Sequence, residues 1–297
     1  MRRIAFICIL ISVLFLTPTL TSCSGTAAPD ILTSSTILAD VTRNIVGKRL
    51  SVGSLLPVGA DPHSYQLTPQ DTANISKSKV LIINGAGYER FLEASLANAD
   101  GKRTLIDAST SLHLRSNTEH GQGNDPHLWL DPNNVIVYVQ NIRDGLIQFD
   151  PAGANTYRAN AEAYIKQLED LDAWINGQVT QIPSPRKLLV TNHEAFGYFA
   201  ERYGFVVVGT MIESFSSDAS PSAQQMAALV DQIKLYNAPA IFLDASDNPA
   251  LAQQIATETG ARVVTDLHLE SLTNGDPAGT YIDMMKYNVT KIVEALK

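Results

Sequence analysis

The chain has 297 residues, 45% of them hydrophobic and 18% charged, and a formal net charge of −8. That length and composition describe an ordinary globular protein with room for two compact lobes of roughly 120 residues each. The acidic balance excludes nucleic acid as a partner, since a phosphate-binding surface needs excess Lys and Arg. It suits a cationic ligand, and equally plain solubility.

The N-terminus reads as an export signal. Arg2 and Arg3 form a positive region, and Ile4 to Leu16 is an apolar run broken only by Ser12. The run is too short to span a bilayer, which needs about 20 apolar residues, so it is a secretory core. Leu20-Thr21-Ser22-Cys23 follows and resembles the lipobox of bacterial lipoproteins, where cleavage frees the cysteine amine and the thiol carries a diacylglycerol. Cys8 goes with the signal, which leaves Cys23 as the mature chain's one cysteine, unable to close an internal disulfide. The expectation is an extracytoplasmic lipoprotein, at the cell surface or in the periplasm, anchored to the membrane through Cys23.

After a short tether, β-rich runs alternate with helical periods. Strands are expected at Ile31–Ile37, Leu50–Pro57, Lys79–Asn84 and Thr104–Asp107. Helices are expected at Leu38–Gly47, Thr68–Ser78 and Tyr88–Ala99. The order returns beyond residue 186, with strands at Lys187–Thr191, Phe205–Ile212, Ala240–Leu243 and Arg262–Asp266. The helices there are Glu194–Tyr203, a segment capped by Ser220-Pro221 and running to Tyr236, Pro249–Thr259, and Thr280–Leu296. Alternation of this kind predicts α/β architecture, with parallel sheets covered on both faces.

Between the two series, Asp150 is placed to cap a helix that opens on Pro151. Tyr157, Ala161, Tyr164, Leu168, Leu171, Ile175 and Val179 recur at three- and four-residue steps, one apolar helix face. From Pro151 to Gln181 such a helix measures roughly 46 Å. It lacks strict heptads, so a monomer is expected rather than a coiled-coil dimer. The expected division is a signal at 1–22, a first lobe at 23–150, a linking helix at 151–182 and a second lobe at 183–297.

Six histidines are present. Two sit in the repeated tripeptide Asp-Pro-His, at His63 and His127, where proline stiffens the backbone just before the imidazole and lowers the ordering cost of binding a metal. His193 follows the strand ending at Thr191, and Glu270 follows the strand ending at Asp266. All four lie beyond the carboxyl ends of expected parallel strands, where open α/β sheets bind ligands. Three imidazoles and a carboxylate suit Zn²⁺, and Mn²⁺ tolerates them. Imidazoles bind metal only when neutral, so affinity is expected to fall below about pH 6.

Four segments carry a family resemblance: Val58-Gly59-Ala60-Asp61-Pro62-His63-Ser64-Tyr65, Asp125-Pro126-His127-Leu128-Trp129-Leu130-Asp131-Pro132, Asn192-His193-Glu194-Ala195-Phe196-Gly197-Tyr198-Phe199 and Tyr281-Ile282-Asp283-Met284-Met285-Lys286-Tyr287-Asn288. In this order, across the mature chain, they resemble the zinc/manganese-binding family of ABC importer solute-binding proteins (TroA-like, ZnuA-like). The resemblance implies two (β/α)4 lobes joined by one rigid helix, with a single metal ion in the cleft between them. It implies delivery to an ABC permease and its ATPase. The family's first two ligands fall on His63 and His127, and the third on His193. The fourth, usually aspartate, falls on Glu270 in Leu267-His268-Leu269-Glu270-Ser271-Leu272, a departure from the pattern. A second departure is the short polar segment Arg115 to Asp125, where many zinc-binding relatives carry a long His-rich loop; His113 and His120 are the only histidines near it.

Zinc is the reading chosen, with manganese the alternative. A metal-dependent hydrolase is the rival from another class, with Glu194 as its candidate base, against a reading of Glu194 as a helix N-terminal acid. No HExxH, nucleophile elbow or P-loop is visible, and an enzyme is not expected. A surface adhesin is a third possibility.

Overall fold

The computed structural model describes residues 28–93, 103–116, 123–218 and 220–297. The export segment, Cys23, His120 and the second half of the helix expected at Tyr88–Ala99 lie outside the described residues. The first half of that segment makes a 3-10 turn, Arg90–Leu92.

The first lobe contains β1 (Ile31–Thr33), α1 (Thr36–Val46), β2 (Val52–Ser54), α2 (Pro69–Lys77), β3 (Val80–Ile83), β4 (Thr104–Asp107) and α3 (Pro132–Phe149). After α4 (Ala154–Val179), the second lobe contains β5 (Leu188–Thr191), α5 (Gly197–Tyr203), β6 (Val206–Thr210), α6 (Ala223–Tyr236), β7 (Ala240–Asp244), α7 (Ala250–Thr259), β8 (Arg262–Leu267) and α8 (Tyr281–Leu296). Each lobe has a four-stranded parallel sheet, in the orders β2-β1-β3-β4 and β6-β5-β7-β8. The two orders are one topology used twice, so the fold class read from the sequence is the observed one.

The inner strands β1, β3, β5 and β7 are buried on both faces, whereas the edge strands β4 and β6 leave Leu105, Val206 and Val207 exposed. In β3, Val80 and Ile82 enter the central core while Leu81 enters a smaller cluster on the other face of the sheet. In β7, Ala240 and Phe242 face the central core, and Ile241 and Leu243 face an outer cluster under α6 and α7. The central core is continuous through both lobes, and α4 runs within it. All seven residues of the predicted α4 face are buried. They pack against α1 and α3 of the first lobe and α8 of the second.

Several boundaries differ from expectation, each for a local reason. The strand at Ile31 stops at Thr33, because the Ser35 hydroxyl accepts from the Leu38 amide and caps α1 two residues early. Asp150 caps no helix through its side chain. Pro151–Gly153 forms a 3-10 turn before α4, and the Asp150 carboxylate instead receives Arg49 (2.8 Å to Nη2) and the Tyr157 hydroxyl (2.6 Å). The cap of α6 is Ser222, in a capping box with Gln225, rather than Ser220. α5 begins at Gly197, so Glu194 lies outside its first turn. The sequence reading missed α3 altogether. Its signal was present in Asp131-Pro132, an N-cap before a first-turn proline. Val135, Tyr138, Val139, Ile142 and Leu146 then follow on one buried face.

Candidate metal centre

The loops after β2, β4, β5 and β8 bring His63, His127, His193 and Glu270 together, and one donor atom from each lies within 4.8 Å of the others. His127 Nε2 is 3.2 Å from His193 Nε2 and 3.3 Å from Glu270 Oε1, and His193 Nε2 is 3.5 Å from that same oxygen. The ring centroids of His63 lie 5.7 Å from those of His127 and 5.5 Å from those of His193.

The repeated Asp-Pro-His tripeptide folds the same way both times. Asp61 Oδ1 accepts from the His63 amide at 2.9 Å, and Asp125 Oδ1 accepts from the His127 amide at 3.0 Å. Each aspartate thus holds the turn that presents its histidine, while proline between them fixes one dihedral. The sequence reading credited only the proline. Beyond this shared turn the two diverge. Asp125, with no exposed surface, also lies 2.8 Å from His127 Nδ1, which directs Nε2 towards the other donors. Tyr198 of α5 fixes this segment from the second lobe by donating to the Asp125 carbonyl and accepting from the Arg115 amide. Gly197 permits the approach: a Cβ there would meet Asp125 Oδ2 at 2.7 Å and Arg115 Nε at 2.6 Å.

Contacts from both lobes hold the loop bearing Glu270. From the second, Asp244 at the end of β7 accepts from the Leu269 amide at 2.6 Å. From the first, Trp129 donates to the Leu269 carbonyl at 2.7 Å, Thr36 accepts from the Leu272 amide at 2.9 Å, and the Gly59 amide donates to Ser271 Oγ at 2.9 Å. Asp244 and Trp129 were not legible as site residues, because pairings across 25 and 140 positions leave no local pattern.

Buried donors and acceptors in folded proteins nearly always have hydrogen-bond partners. Here His63 Nε2 and both carboxylate oxygens of Glu270 are buried without one. Burial alone would raise the Glu270 carboxyl, but His127, His193 and His63 outweigh it and hold it well below the usual carboxylate range. Burial pushes the His63 imidazole down to about 4. It opposes charge on His127 as well, yet Glu270 and Asp125 prevail and raise that imidazole to about 10. The cluster favours positive charge beside Glu270, of the kind a divalent cation would supply.

The other candidates stand apart. His113 is exposed. His268 stacks on Tyr287 at 5.4 Å, with its backbone paired to the Asn288 side chain. Asp266 receives Tyr287 and Lys291 on the outer side of β8. The backbone amide of Glu194 pairs with the Ser214 carbonyl.

Two α/β lobes with a compact donor cluster buried in the cleft between them define a cleft-type solute-binding protein. The sequence model for zinc-uptake complex component A, periplasmic, matches residues 31–295, and the chain belongs to that family. It is the substrate-binding component of a metal ABC transporter, and it acts outside the cytoplasm. Among its relatives, the manganese-binding lipoprotein MntA of Halalkalibacterium halodurans is 37% identical over 267 residues, covering 90% of this chain and 88% of that one. The iron-binding protein YfeA of Yersinia pestis is 32% identical over 267 residues, covering 89% and 85%. The periplasmic zinc-binding protein TroA of Treponema pallidum superposes with a TM-score of 0.84 at 26% identity, covering 90% of this chain and 99% of that one. No helix among the described residues is long and apolar enough to cross a membrane.

Proposed function

We propose that this protein captures one Zn²⁺ with His63, His127, His193 and Glu270 and hands it to a membrane permease driven by an ATPase. One observation carries the ligand set: three donor atoms converge at 3.2, 3.3 and 3.5 Å from one another. A tetrahedron with metal–ligand bonds of about 2.0–2.1 Å has edges of about 3.3–3.4 Å. The unpartnered Nε2 of His63 is the natural fourth corner.

Manganese is the second reading. Both oxygens of Glu270 are buried without partners, so the carboxylate can bind through two atoms and raise the coordination number, as a harder ion prefers. The relative MntA is named for manganese. On ligand chemistry alone zinc binds more tightly at such a site, so zinc remains the first choice.

We read the protein as a carrier rather than a hydrolase. A catalytic zinc keeps a position open for water, whereas four protein ligands fill a tetrahedron. We further propose that the mature chain is a monomer tethered by lipid at Cys23. The test is elemental analysis of protein purified without added metal, followed by Zn²⁺ and Mn²⁺ competition. One ion per chain, with zinc displacing manganese, is expected; a chain that takes up neither would defeat the reading.

A further inference from the structure

We propose that the ion reaches and leaves this centre past His63, through a chamber at the mouth of the cleft, and that the Asp61–Ser217 hydrogen bond is the closure that sets its release rate. The inference rests on the ligand set proposed above. His127, His193 and Glu270 retain 0%, 3% and 4% of their surface, so no ion passes directly over them. His63 is only partly buried, and it lines a cavity of about 430 Å³. The first lobe contributes Gly87, Arg90 and Asn124 to the walls, and the second contributes Ser214 and Ser216.

The contacts between lobes are unequal around the cleft. On the Glu270 side, Trp129, Thr36 and Gly59 join the lobes through backbone groups of Leu269 and Leu272 and the hydroxyl of Ser271. Behind His127, Tyr198 bonds the Asp125 carbonyl and the Arg115 amide. Beside the chamber, the Ser217 hydroxyl donates to Asp61 Oδ2 at 2.6 Å, one side chain to another across the gap. Side-chain rotation is enough to break it, with no loss of backbone pairing. Asp61 is also the residue whose other oxygen holds the His63 amide, so the closure and the outermost ligand share one turn. The twin aspartates of the repeated tripeptide therefore divide the work: Asp125 orients an imidazole, and Asp61 joins the lobes over the opening.

The test is stopped-flow release of Zn²⁺ from the loaded protein into excess chelator, with uptake measured in parallel. Ser217→Ala removes the closure without touching a ligand, and release is expected to accelerate on the order of tenfold, the scale of one hydrogen bond to a charged group. Ser217→Thr keeps the hydroxyl and is expected to release at the wild-type rate. Arg90→Trp, an exposed change in the chamber wall, is expected to slow uptake and release together, whereas loss of the positive charge alone would speed cation uptake. Wild-type release from Ser217→Ala overturns the closure, and unchanged rates in Arg90→Trp overturn the route. Both results leave the ligand set standing if one ion per chain is still bound. Failure of the ligand set has a separate signature, retention of the ion by His63→Ala and His127→Ala.

Discussion

At Glu270 a glutamate occupies a position that is usually aspartate in the resembling family, and the loop around it shows how the longer side chain is placed. Leu269 and Leu272 are each held at a backbone group, so the carboxylate is delivered from a fixed frame. Asp266 and His268, its neighbours, are engaged with Tyr287, Lys291 and Asn288. Glu270→Ala is therefore expected to weaken metal binding by orders of magnitude, whereas Asp266→Ala and His268→Ala change it little and Glu270→Asp largely preserves it. Calorimetric titration with Zn²⁺ and Mn²⁺ checks this, and wild-type affinity in Glu270→Ala would reopen the hydrolase reading. The imidazoles also refine the simple expectation of a threshold near pH 6. His127 is raised to about 10 by Glu270 and Asp125 against the opposing effect of burial, so without metal it stays protonated at neutral pH. That charge stabilises the metal-free fold fully below the unfolded value of about 6.5 and is lost as pH climbs through about 10. His63, lowered to about 4, is already neutral and surrenders nothing. Zinc binding near pH 7.5 is thus expected to release a proton from His127, with affinity rising as pH rises. Titration in buffers of different ionisation enthalpy counts that proton, and release of none would refute the assignment.

Among the elements, α4 decides most. Its buried stripe was legible because a 3.6-residue period is written directly into the chain, and every residue of it is buried. α3 carried a cap and a period of its own and went unread beside the more conspicuous histidine segment. The start of α4 was misjudged because Asp150 has a stronger partner than a helix amide, the guanidinium of Arg49, 101 residues away in the chain. Leu168 has no exposed surface and sits midway along α4. Leu168→Ala is expected to destabilise the protein by roughly 2–5 kcal/mol, read from the denaturant midpoint. Glu169→Ala, on the exposed face of the same turn, should stay within about 0.5 kcal/mol. Equal effects would mean that α4 does not bear on the shared core.

At the scale of the whole molecule, a continuous core joins the lobes, while the cleft is crossed by a small set of hydrogen bonds. Such a body can open modestly at one edge without unfolding, as uptake and release demand. The proposed lipid attachment at Cys23 would tether this core only a short stretch of chain before Ile31, its first strand residue. Cys23→Ala is expected to leave the chain unprocessed or to shift it from the membrane to the soluble fraction, with metal binding intact. Fractionation followed by mass analysis of the N-terminal peptide decides it, and a wild-type protein that is soluble and carries no lipid would refute the anchor.

Local pattern was enough to establish the alternating elements, the two lobes, the buried face of α4 and the four candidate ligands, because periodicity, caps and a repeated tripeptide act over a few residues. Tertiary structure alone decided what surrounds those ligands. Trp129 and Thr36 on the Glu270 loop, and Ser217 on Asp61, are pairings between segments distant in the chain. They come together only once two sheets have folded and faced each other. A short polar side chain in a loop looks the same in sequence whether it meets water or the opposite lobe, so its partner is settled by packing.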